Sequence, residues 1–359
     1  MKIFTIVGAR PQFIKAATVS RVIRRDYDGK IKEVLIHTGQ HYDDNMSRTF
    51  FEELDIPEPE FNLDINRGNH GEMTGRMLTG IEALLLQEKP DWVLVYGDTN
   101  STLAGALAAV KLHLPVVHVE AGLRSFNMKM PEEVNRVLTD RVSSMLFCPT
   151  ETAVRNLAEE GVRKGVYNVG DVMYDASRFY RQRARERSRI LERLNVAAGQ
   201  YALATCHRAE NTDVPARLSE ILKGLGHVAG TFKVVFPMHP RTRKLIESAG
   251  LRHLLGNVVV VEPLSYLDMI RLEEEARVII TDSGGVQKEA CFYGVPCVTL
   301  RDETEWVETV ESGWNHLVGA NAEQLESEAL RATPTREPLR AYGEGHAAEV
   351  ILQALSKVA

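Results

Sequence analysis

The segment ITDSGGVQKEACFYGVPCV, residues 280–298, has the pattern of a buried strand that passes directly into a helix. Apolar β-branched residues at its start are typical of a buried strand, and the apolar positions from Val286 to Phe292 predict a helix. Two adjacent glycines, Gly284 and Gly285, let backbone N–H groups approach a ligand, and a helix N-terminus favours an anion. The junction predicts either a phosphate site or an ordinary turn capped by a neighbouring acidic or hydroxyl side chain. No P-loop pattern, with its lysine for a nucleotide γ-phosphate, accompanies it.

The same alternation of apolar strands and helical stretches runs through the 359 residues of the chain. Strands are predicted at 2–7, 33–37, 92–96, 115–119, 145–148, 201–205, 233–237, 258–261, 277–281 and 296–299. This alternation predicts an α/β protein with parallel, doubly wound sheets, and the length is sufficient for two domains with separate cores.

The predicted domain boundary lies near Val169–Gly170, before a strongly charged helical segment. We expect an N-terminal Rossmann-like domain over 1–169 and a C-terminal one over 170–344. The tail carries HAAEVILQALSKV, an amphipathic helix at about 345–359 that we expect to pack back on the first domain.

Composition excludes several classes of function. The net charge of −6 and the pI of about 6.0 give no sign of a nucleic-acid partner or an anionic membrane surface. No apolar run approaches the roughly 20 residues that span a bilayer, and the first residues indicate a β-strand, not a signal peptide. The four cysteines lack CxxC spacing, so we expect reduced thiols in a cytoplasmic protein and no zinc site.

Polar residues follow the predicted strands at nearly every strand end. In open α/β sheets ligands bind beyond the carboxyl ends of the strands, so these residues are predicted to converge. They are Arg10, Lys15, Asp98, Glu120, Arg124, Glu132, Glu133, Arg136, His207, Arg208, Glu210 and His239. Singly, each is more often a cap or a surface charge, and their convergence favours a site. No strand–helix turn has the GxGxxG pattern, so NAD is not expected, and the chemistry is predicted to use carboxylates and a histidine.

At these loops the chain resembles the non-hydrolysing UDP-N-acetylglucosamine 2-epimerases. The matching motifs occur in order over nearly the whole length: GARPQFIK, YGDTNSTLAGALAA, HVEAGLRS, MPEEVNR, FCPTETAVRNL, VGDVMYDA, HRAEN, TDSGGVQKEA and LRDETEW. The resemblance implies the GT-B fold, in which two Rossmann-like doubly wound domains face each other across a cleft. It also implies a cytoplasmic homodimer that needs no cofactor or metal.

The resemblance further implies a mechanism and a set of site residues. Such epimerases eliminate UDP to form a 2-acetamidoglucal, then add UDP back after C2 has been protonated on the other face. Asp98, Glu120 and Glu132 match the family's catalytic carboxylates, and His207 matches its catalytic histidine. The implied UDP-binding residues are Arg10, Lys15 and Arg136 for the diphosphate charge, Ser283, Gly284 and Gly285 as donors, and Glu289 for the ribose hydroxyls.

The chain departs from the usual family pattern beside the expected sugar pocket. The departures are Gln12, residues 127–130, Trp306 with its neighbours and Cys206. They resemble the subgroup that acts on UDP-2,3-diacetamido-2,3-dideoxyglucuronate, a precursor of mannuronate-type sugars for surface polysaccharide. Lys129 and Arg124 are candidates to meet the C6 carboxylate, or are simply surface charges. Residues 42–44 replace the pattern of the family's second, regulatory UDP-sugar site, so the resemblance does not predict that regulation here.

Several other functions share part of this pattern. UDP-N-acetylglucosamine is the alternative epimerase substrate, giving UDP-N-acetylmannosamine. A GT-B glycosyltransferase would share the fold and the UDP-binding residues. It also needs an acceptor site, for which the acidic sequence shows no obvious apolar or basic face. A hydrolysing epimerase would release free sugar, and a non-catalytic sensor would not need all four acid/base positions.

Overall fold

The computed structural model describes residues 1–40, 51, 54–335, 337 and 339–358, and it divides the chain into two compact units. Unit 1 comprises Met1–Arg178 together with Arg340–Ala359, and unit 2 comprises Phe179–Leu339. Each unit contains one parallel sheet, with helices between most successive strands of the described residues.

The described part of unit 1 is built on a seven-stranded sheet in the order β3-β2-β1-β4-β5-β6-β7. All neighbouring pairs are parallel. The strands are β1 (Lys2–Val7), β2 (Lys32–His37), β3 (Phe61–Asn62), β4 (Trp92–Tyr96), β5 (Val116–Val119), β6 (Met145–Cys148) and β7 (Val166–Asn168). The order reverses between β1 and β4, so the loops that follow these two strands begin at the switch point where such sheets bind ligands.

The helices of unit 1 cover a sheet whose central strands are almost wholly apolar. Among the described residues, those that lie between its strands are α1 (Arg10–Asp26), α2 (His70–Glu88), α3 (Asn100–Lys111), α4 (Pro131–Val142) and α5 (Glu151–Glu159). One core cluster joins Phe4 and Val95 of the sheet to Met77 of α2 and Ala104 of α3. Burial of these apolar faces drives the layers together and leaves the polar strand ends as the part of the sheet free for chemistry.

A long helix, α6 (Val172–Arg187), carries the chain from unit 1 into unit 2. Unit 2 has a six-stranded parallel sheet in the order β10-β9-β8-β11-β12-β13 among its described residues. The strands are β8 (Tyr201–Thr205), β9 (Lys233–Pro237), β10 (Val259–Val261), β11 (Val278–Thr281), β12 (Cys297–Thr299) and β13 (Asn315–Leu317). Here the order reverses between β8 and β11.

The remaining helices complete unit 2 and return the chain to unit 1. Those of unit 2 are α7 (Ile190–Leu194), α8 (Ala209–Thr212), α9 (Pro215–Val228), α10 (Pro240–Ser248), α11 (Tyr266–Glu275), α12 (Gly284–Tyr293), α13 (Val307–Glu311) and α14 (Ala322–Arg331). Short 3₁₀ helices lie at Arg252–Leu255 and Arg340–Tyr342. The last helix, α15 (Ala347–Val358), belongs to unit 1, where its first turn is held by a side chain of α6.

The α/β class and the parallel, doubly wound sheets predicted from the sequence are confirmed, and all ten predicted strands are present. The division between the units falls at 178/179 and 339/340, where the sequence predicts 169/170 and 344/345. The first difference arises because α6 begins in unit 1 and ends in unit 2, so the crossing lies inside a helix. Among the described residues, no helix is both long enough and apolar enough to cross a membrane.

Candidate active site

The loop after β1 is fixed by a buried glutamine. Gln12 is 1% exposed, and its Oε1 accepts hydrogen bonds from the backbone N–H groups of Gly8 at 2.8 Å and Ala9 at 3.0 Å. Its Nε2 donates to the Tyr96 carbonyl oxygen at 2.8 Å and to Thr102 Oγ1 at 2.9 Å. The amide thus ties the start of α1 to the end of β4 and the first turn of α3, on both sides of the switch point.

A buried ion pair lies at the ends of the central strands of unit 1. Lys15 Nζ, on the second turn of α1, contacts Glu120 Oε2 after β5, and both side chains are buried. Glu120 has φ +72°, in the left-handed region that costs a residue other than glycine free energy and is often found at functional sites. A Cβ at Gly97 would lie 3.1 Å from Glu120 Oε2 and 3.3 Å from Lys15 Nζ, so the turn after β4 packs directly against the pair.

A second group of charges adjoins the same turn. Asp98 Oδ2 accepts from Arg136 Nε at 2.9 Å and lies 2.7 Å from its Nη2, while Arg136 Nη1 donates to Glu133 Oε2 at 2.7 Å. The Arg136 side chain is 4% exposed, whereas that of Asp98 is 31% exposed and so faces solvent in part. A single guanidinium therefore holds one accessible and one buried carboxylate.

Glu133 organises the loop that precedes α4. Its two oxygens accept from the backbone N–H groups of Ser125 at 3.0 Å and Phe126 at 2.9 Å. Burial pushes the pKa of this carboxyl upward, but the hydrogen bonds from Ser125 and Arg136 outweigh burial and leave the pKa below its usual value. Glu132, the residue predicted to be catalytic, lies beside it in the first turn of α4 and is half-buried. Arg10, the first residue of α1, is also half-buried.

A buried polar network holds the turns that follow β4 and β5 in unit 1. His118, on β5, has Nδ1 at 2.7 Å from Asp140 Oδ1 and Nε2 at 2.7 Å from the carbonyl oxygen of Gly97. Asp140 Oδ2 accepts from the Gly122 N–H at 3.1 Å and from Arg124 Nη1 at 2.7 Å. The Arg124 guanidinium also binds Glu160 through Nε at 2.6 Å and Nη2 at 2.7 Å.

In unit 2 the loop after β8 is fixed by an aspartate at the end of β11. The fully buried Asp282 accepts from the backbone N–H groups of His207 at 2.9 Å and Arg208 at 2.9 Å, and from Asn211 Nδ2 at 3.2 Å. His207 Nδ1 lies 3.5 Å from Asp282 Oδ1, and the side chain is 46% exposed. Protein packed around the ring lowers the pKa of His207; Asp282 opposes this shift, and Arg208 and His239 add to it.

The N-terminus of α12 has the features of an anion site. Ser283 is the N-cap residue, yet its side chain makes no capping hydrogen bond, and its own N–H donates to Thr281 Oγ1 at 2.9 Å. A Cβ at Gly284 would lie 2.7 Å from Glu305 Oε1 and 3.2 Å from Trp306 Nε1, so a larger residue there would have to displace the buried Glu305 carboxylate. A Cβ at Gly285 would meet only Ser283 Oγ at 3.9 Å, which leaves open space beside the first N–H groups of the helix.

The buried side of α12 carries charged residues that sequence analysis only partly identified. Glu289 is buried, and its charge adds to burial in raising the pKa of the Tyr266 hydroxyl. Lys288 is 2% exposed, with Nζ 4.0 Å from the centroid of the buried Trp306 ring. Arg301 Nη1 donates to Glu305 Oε2 at 3.0 Å. Lys288 is not among the predicted site residues, although its place one turn after Gly284 puts it on the same helix face.

The structure corrects three interpretations of the sequence. Arg124 is not a cation that is available to a substrate, because it is buried and its guanidinium already binds Asp140 and Glu160. Gln12 has no hydrogen bond left to offer a sugar, because its amide uses all of its hydrogen-bonding capacity on the protein. Cys206 packs in the apolar core of unit 2. Lys129 is exposed as predicted for a surface charge, and residues 42–44 lie outside the described residues.

Within the described ranges, no group of three or more His, Cys, Asp or Glu side chains is arranged to hold a metal ion. The four cysteines are free and buried. Unit 1 has carboxylates paired with cations at its strand ends, and unit 2 has a histidine beside a helix N-terminus that no side chain caps. These are the groups that proton transfer and the binding of a diphosphate require.

Comparison with known proteins decides the family. The family model described as UDP-N-acetylglucosamine 2-epimerase matches residues 24–356. The chain belongs to this family. Its members are UDP-sugar 2-epimerases, so the protein is an isomerase, and the fold is of the GT-B type found in its structural neighbours.

Relatives of this epimerase family align with the chain from end to end. A UDP-N-acetylglucosamine 2-epimerase homolog of Methanococcus maripaludis is 53% identical over 99% of this chain and 99% of its own length. The UDP-2,3-diacetamido-2,3-dideoxy-D-glucuronate 2-epimerase of Pseudomonas aeruginosa is 52% identical over the full length of both. The crystal structure of the Methanocaldococcus jannaschii UDP-GlcNAc 2-epimerase, in complex with UDP-GlcNAc and UDP, is 45% identical with a TM-score of 0.92, covering 99% of this chain and 100% of that one.

Proposed function

We propose that the protein epimerises UDP-2,3-diacetamido-2,3-dideoxyglucuronate at C2 by eliminating UDP and adding it back. The C2 hydrogen of such a sugar is not adjacent to a carbonyl group, so direct removal of the proton would be slow. In the elimination, a base takes the C2 proton, the C–H electron pair forms the C1=C2 double bond, and UDP leaves with the C1–O pair. Protonation of C2 on the other face and return of UDP to C1 give the epimer.

The single observation that carries the reaction is the pairing of cations with carboxylates at the strand ends of unit 1. Lys15 contacts Glu120, and Arg136 binds Asp98 with a 2.7 Å approach. The cation holds each carboxylate in place at the strand end, and an ionised carboxylate is the form that accepts a proton. We assign Asp98, Glu120 and Glu132 to proton transfer and to stabilising charge on the sugar. Arg10, Lys15 and Arg136 also offset the charge of the diphosphate.

The leaving group would be held by unit 2. Ser283, Gly284 and Gly285 offer a hydroxyl with no capping bond and the first N–H groups of α12, with open space at Gly285. Donors at a helix N-terminus stabilise the negative charge that develops on a departing diphosphate. We assign Glu289 to the ribose hydroxyls. His207, whose lowered pKa favours the neutral imidazole, can then accept or return a proton near neutral pH.

The proposed sugar rests on the comparison with relatives of known substrate. Identity is 52% to the diacetamidoglucuronate enzyme and 45% to the M. jannaschii UDP-GlcNAc enzyme. A uronate needs a cation for its C6 carboxylate. With Arg124 committed to Asp140 and Glu160, the candidates are the exposed Lys129 and the buried Lys288. UDP-N-acetylglucosamine remains the second candidate substrate because relatives that act on it align along the whole chain.

The substrate is tested by measuring kcat/KM for both UDP-sugars. A charge-assisted hydrogen bond to the carboxylate contributes roughly 1.5–3 kcal/mol, so we expect at least a tenfold preference for the diacetamidoglucuronate. Lys288→Met and Lys129→Met, each assayed on both sugars, identify the cation. The variant that lacks it should lose the preference for the diacetamidoglucuronate and keep its kcat/KM for UDP-N-acetylglucosamine. Equal kcat/KM values, or a preference for UDP-N-acetylglucosamine, would assign the protein to the general epimerases.

We also propose that the protein works as a homodimer in the cytoplasm. Four free, buried cysteines are compatible with a reducing compartment, and the resemblance to the family suggests the dimer. Sedimentation analysis of the purified protein measures the assembly, and a mass of one chain of 40.2 kDa would contradict the dimer.

A further inference from the structure

His118 is enclosed by the protein, and each ring nitrogen faces an acceptor. The residue is 0% exposed, with Nε2 2.7 Å from the Gly97 carbonyl oxygen and Nδ1 2.7 Å from Asp140 Oδ1. A carbonyl oxygen can only accept, so Nε2 carries a proton. Asp140 also accepts from Gly122 and Arg124, as an ionised carboxylate does, so Nδ1 carries a proton as well. The ring with both protons is an imidazolium.

The surrounding charges compensate this buried cation. His118 and Arg124 provide two positive charges, and Asp140 and Glu160 provide two negative ones. Burial pushes the pKa of Asp140 upward, and the charges and hydrogen bonds of His118 and Arg124 outweigh burial, so the pKa lies below its usual value. A buried charge is stable only when it is paired and hydrogen-bonded, and both conditions hold here.

The network fixes two turns that carry proposed reacting groups. His118 holds the carbonyl of Gly97, which has φ +61° and directly precedes Asp98. Asp140 holds the N–H of Gly122, two residues after Glu120, whose φ of +72° is unfavourable for a residue other than glycine. The turn at Gly97 lies against the contact between Lys15 and Glu120, and Glu120 itself lies in the other turn.

We propose that His118 is held as an imidazolium and acts with Asp140 as the positioning pair that fixes Asp98 and Glu120 for proton transfer. The inference rests on the proposed roles of those two carboxylates, since His118 itself is buried and does not reach a substrate. A misplacement of about 1 Å in a reacting group can cost roughly a hundredfold in rate, so loss of the bond to Gly97 is expected to lower kcat.

Two substitutions of His118 separate positioning from stability. A glutamine amide nitrogen takes the place of Nε2 and can keep the bond to Gly97, whereas an asparagine amide nitrogen takes the place of Nδ1 and can keep only the bond to Asp140. We expect His118→Asn to lower kcat roughly a hundredfold and His118→Gln to keep kcat within roughly tenfold of the wild type. KM and the Kd of UDP should stay within roughly threefold in both. If His118 has only a structural role, the two variants should have equal kcat per folded molecule. That result would overturn the positioning role.

The charge of His118 is measured on the unmodified enzyme, so the test survives even if neither variant folds. We expect ¹⁵N NMR of histidine-labelled wild-type protein near neutral pH to show protons on both ring nitrogens of His118, whose signals are assigned through the short distance between its ring and Gly97. One protonated and one bare nitrogen at His118 would overturn the imidazolium.

Failure of the proposed function gives a different pattern of results. If Asp98→Asn and Glu120→Gln keep wild-type turnover, the proposed roles of these carboxylates fail, and the positioning role fails with them. If those variants are inactive while both His118 variants turn over as the wild type does, only the positioning role fails.

Discussion

Arg136 binds one oxygen of Asp98 through two guanidinium nitrogens, Nη2 at 2.7 Å and Nε at 2.9 Å. The remaining nitrogen, Nη1, donates to the buried Glu133 at 2.7 Å. The planar guanidinium thereby fixes Asp98, whose side chain is partly exposed, against the body of unit 1. An ionised carboxylate in a fixed position is the arrangement that proton transfer from a bound sugar requires.

The first prediction concerns the four proposed acid/base groups. Asp98→Asn, Glu120→Gln, Glu132→Gln and His207→Ala should each lower kcat by roughly a hundredfold or more, because each removes a group that transfers a proton or stabilises charge. Turnover is measured by following epimer formation with saturating UDP-sugar.

The control for these variants is Glu159→Gln, which changes an exposed glutamate at the end of α5. Its turnover should match the wild type, and the melting temperature of every variant is measured beside it. A variant that melts like the wild type and also turns over like it removes that residue from the mechanism.

The second prediction tests the proposed diphosphate site at the N-terminus of α12 by substituting two glycines, one in the site and one outside it. Gly285→Ala puts a methyl group into the open space at the start of α12. The methyl group should keep the diphosphate away from N–H donors that contribute roughly 1.5–3 kcal/mol each, and so raise the Kd of UDP tenfold or more. The same change should leave stability equal or increase it by up to about 1 kcal/mol, since alanine favours a helix.

Gly75→Ala is the matched control because Gly75 lies within α2, where an added methyl group would meet no described atom within 4 Å. It should share the gain in stability and leave the Kd of UDP unchanged. Calorimetric titration with UDP measures both variants. Unchanged UDP binding by a folded Gly285→Ala protein would place the diphosphate elsewhere.

The third prediction uses the aspartate that holds the last helix. Asp175 Oδ2, on α6, accepts from the Ala348 N–H at 2.9 Å, in the first turn of α15. Burial raises the pKa of Asp175 from 3.8 to about 6, against the hydrogen bond from Ala348. Because the folded pKa lies above the unfolded one, the wild type loses stability as pH rises from the unfolded pKa through about 6. Asp175→Asn cannot ionise. Its free energy of unfolding should therefore rise relative to that of the wild type by about 3 kcal/mol between acidic and neutral pH, which corresponds to a pKa shift of about two.

Urea unfolding at a series of pH values measures this difference in the free energy of unfolding. Asp26→Asn is the control, because the hydrogen bond from Arg25 lowers the pKa of the exposed Asp26 and so gives a small effect of the opposite sign. A difference between Asp175→Asn and the wild type that does not change with pH would contradict the raised pKa.

The fourth prediction is that activity needs neither NAD, flavin nor a metal ion. The proposed steps move protons and UDP only, and the sequence lacks the GxGxxG pattern of a dinucleotide site. Epimerase activity should survive exhaustive dialysis against a chelator, and the purified protein should show no nicotinamide or flavin absorbance. Recovery of lost activity on adding a divalent ion, or stimulation by NAD, would contradict it.

The sheets could be predicted from the sequence because their central strands are buried runs of β-branched and aliphatic residues. Three strands, β3, β7 and β13, are missing from the predicted set; they contain only two or three residues and lie at sheet edges, partly exposed. Such short segments carry too little apolar pattern to distinguish a strand from a loop. The charged segment predicted after the domain boundary does form a helix, but α6 buries Tyr180 and Ala184, which its charged sequence does not indicate.

The location of the candidate site was predictable because carboxyl strand ends meet at one edge of a parallel sheet. Which side chains pair with each other was not predictable. His118 and Asp140 lie 22 positions apart on a strand and a helix, and only the packing of α4 on the sheet brings them together. For the same reason the sequence did not reveal that Gln12 turns inward to Tyr96, 84 positions away.

The most direct test of the proposed reaction is to incubate the enzyme with UDP-2,3-diacetamidoglucuronate in D₂O and follow C2 by NMR. We predict that deuterium enters C2, that the C2 epimer forms, and that both epimers are recovered as UDP-sugars. Release of free sugar, transfer to an acceptor, or epimer formed with the original hydrogen still on C2 would contradict elimination and re-addition.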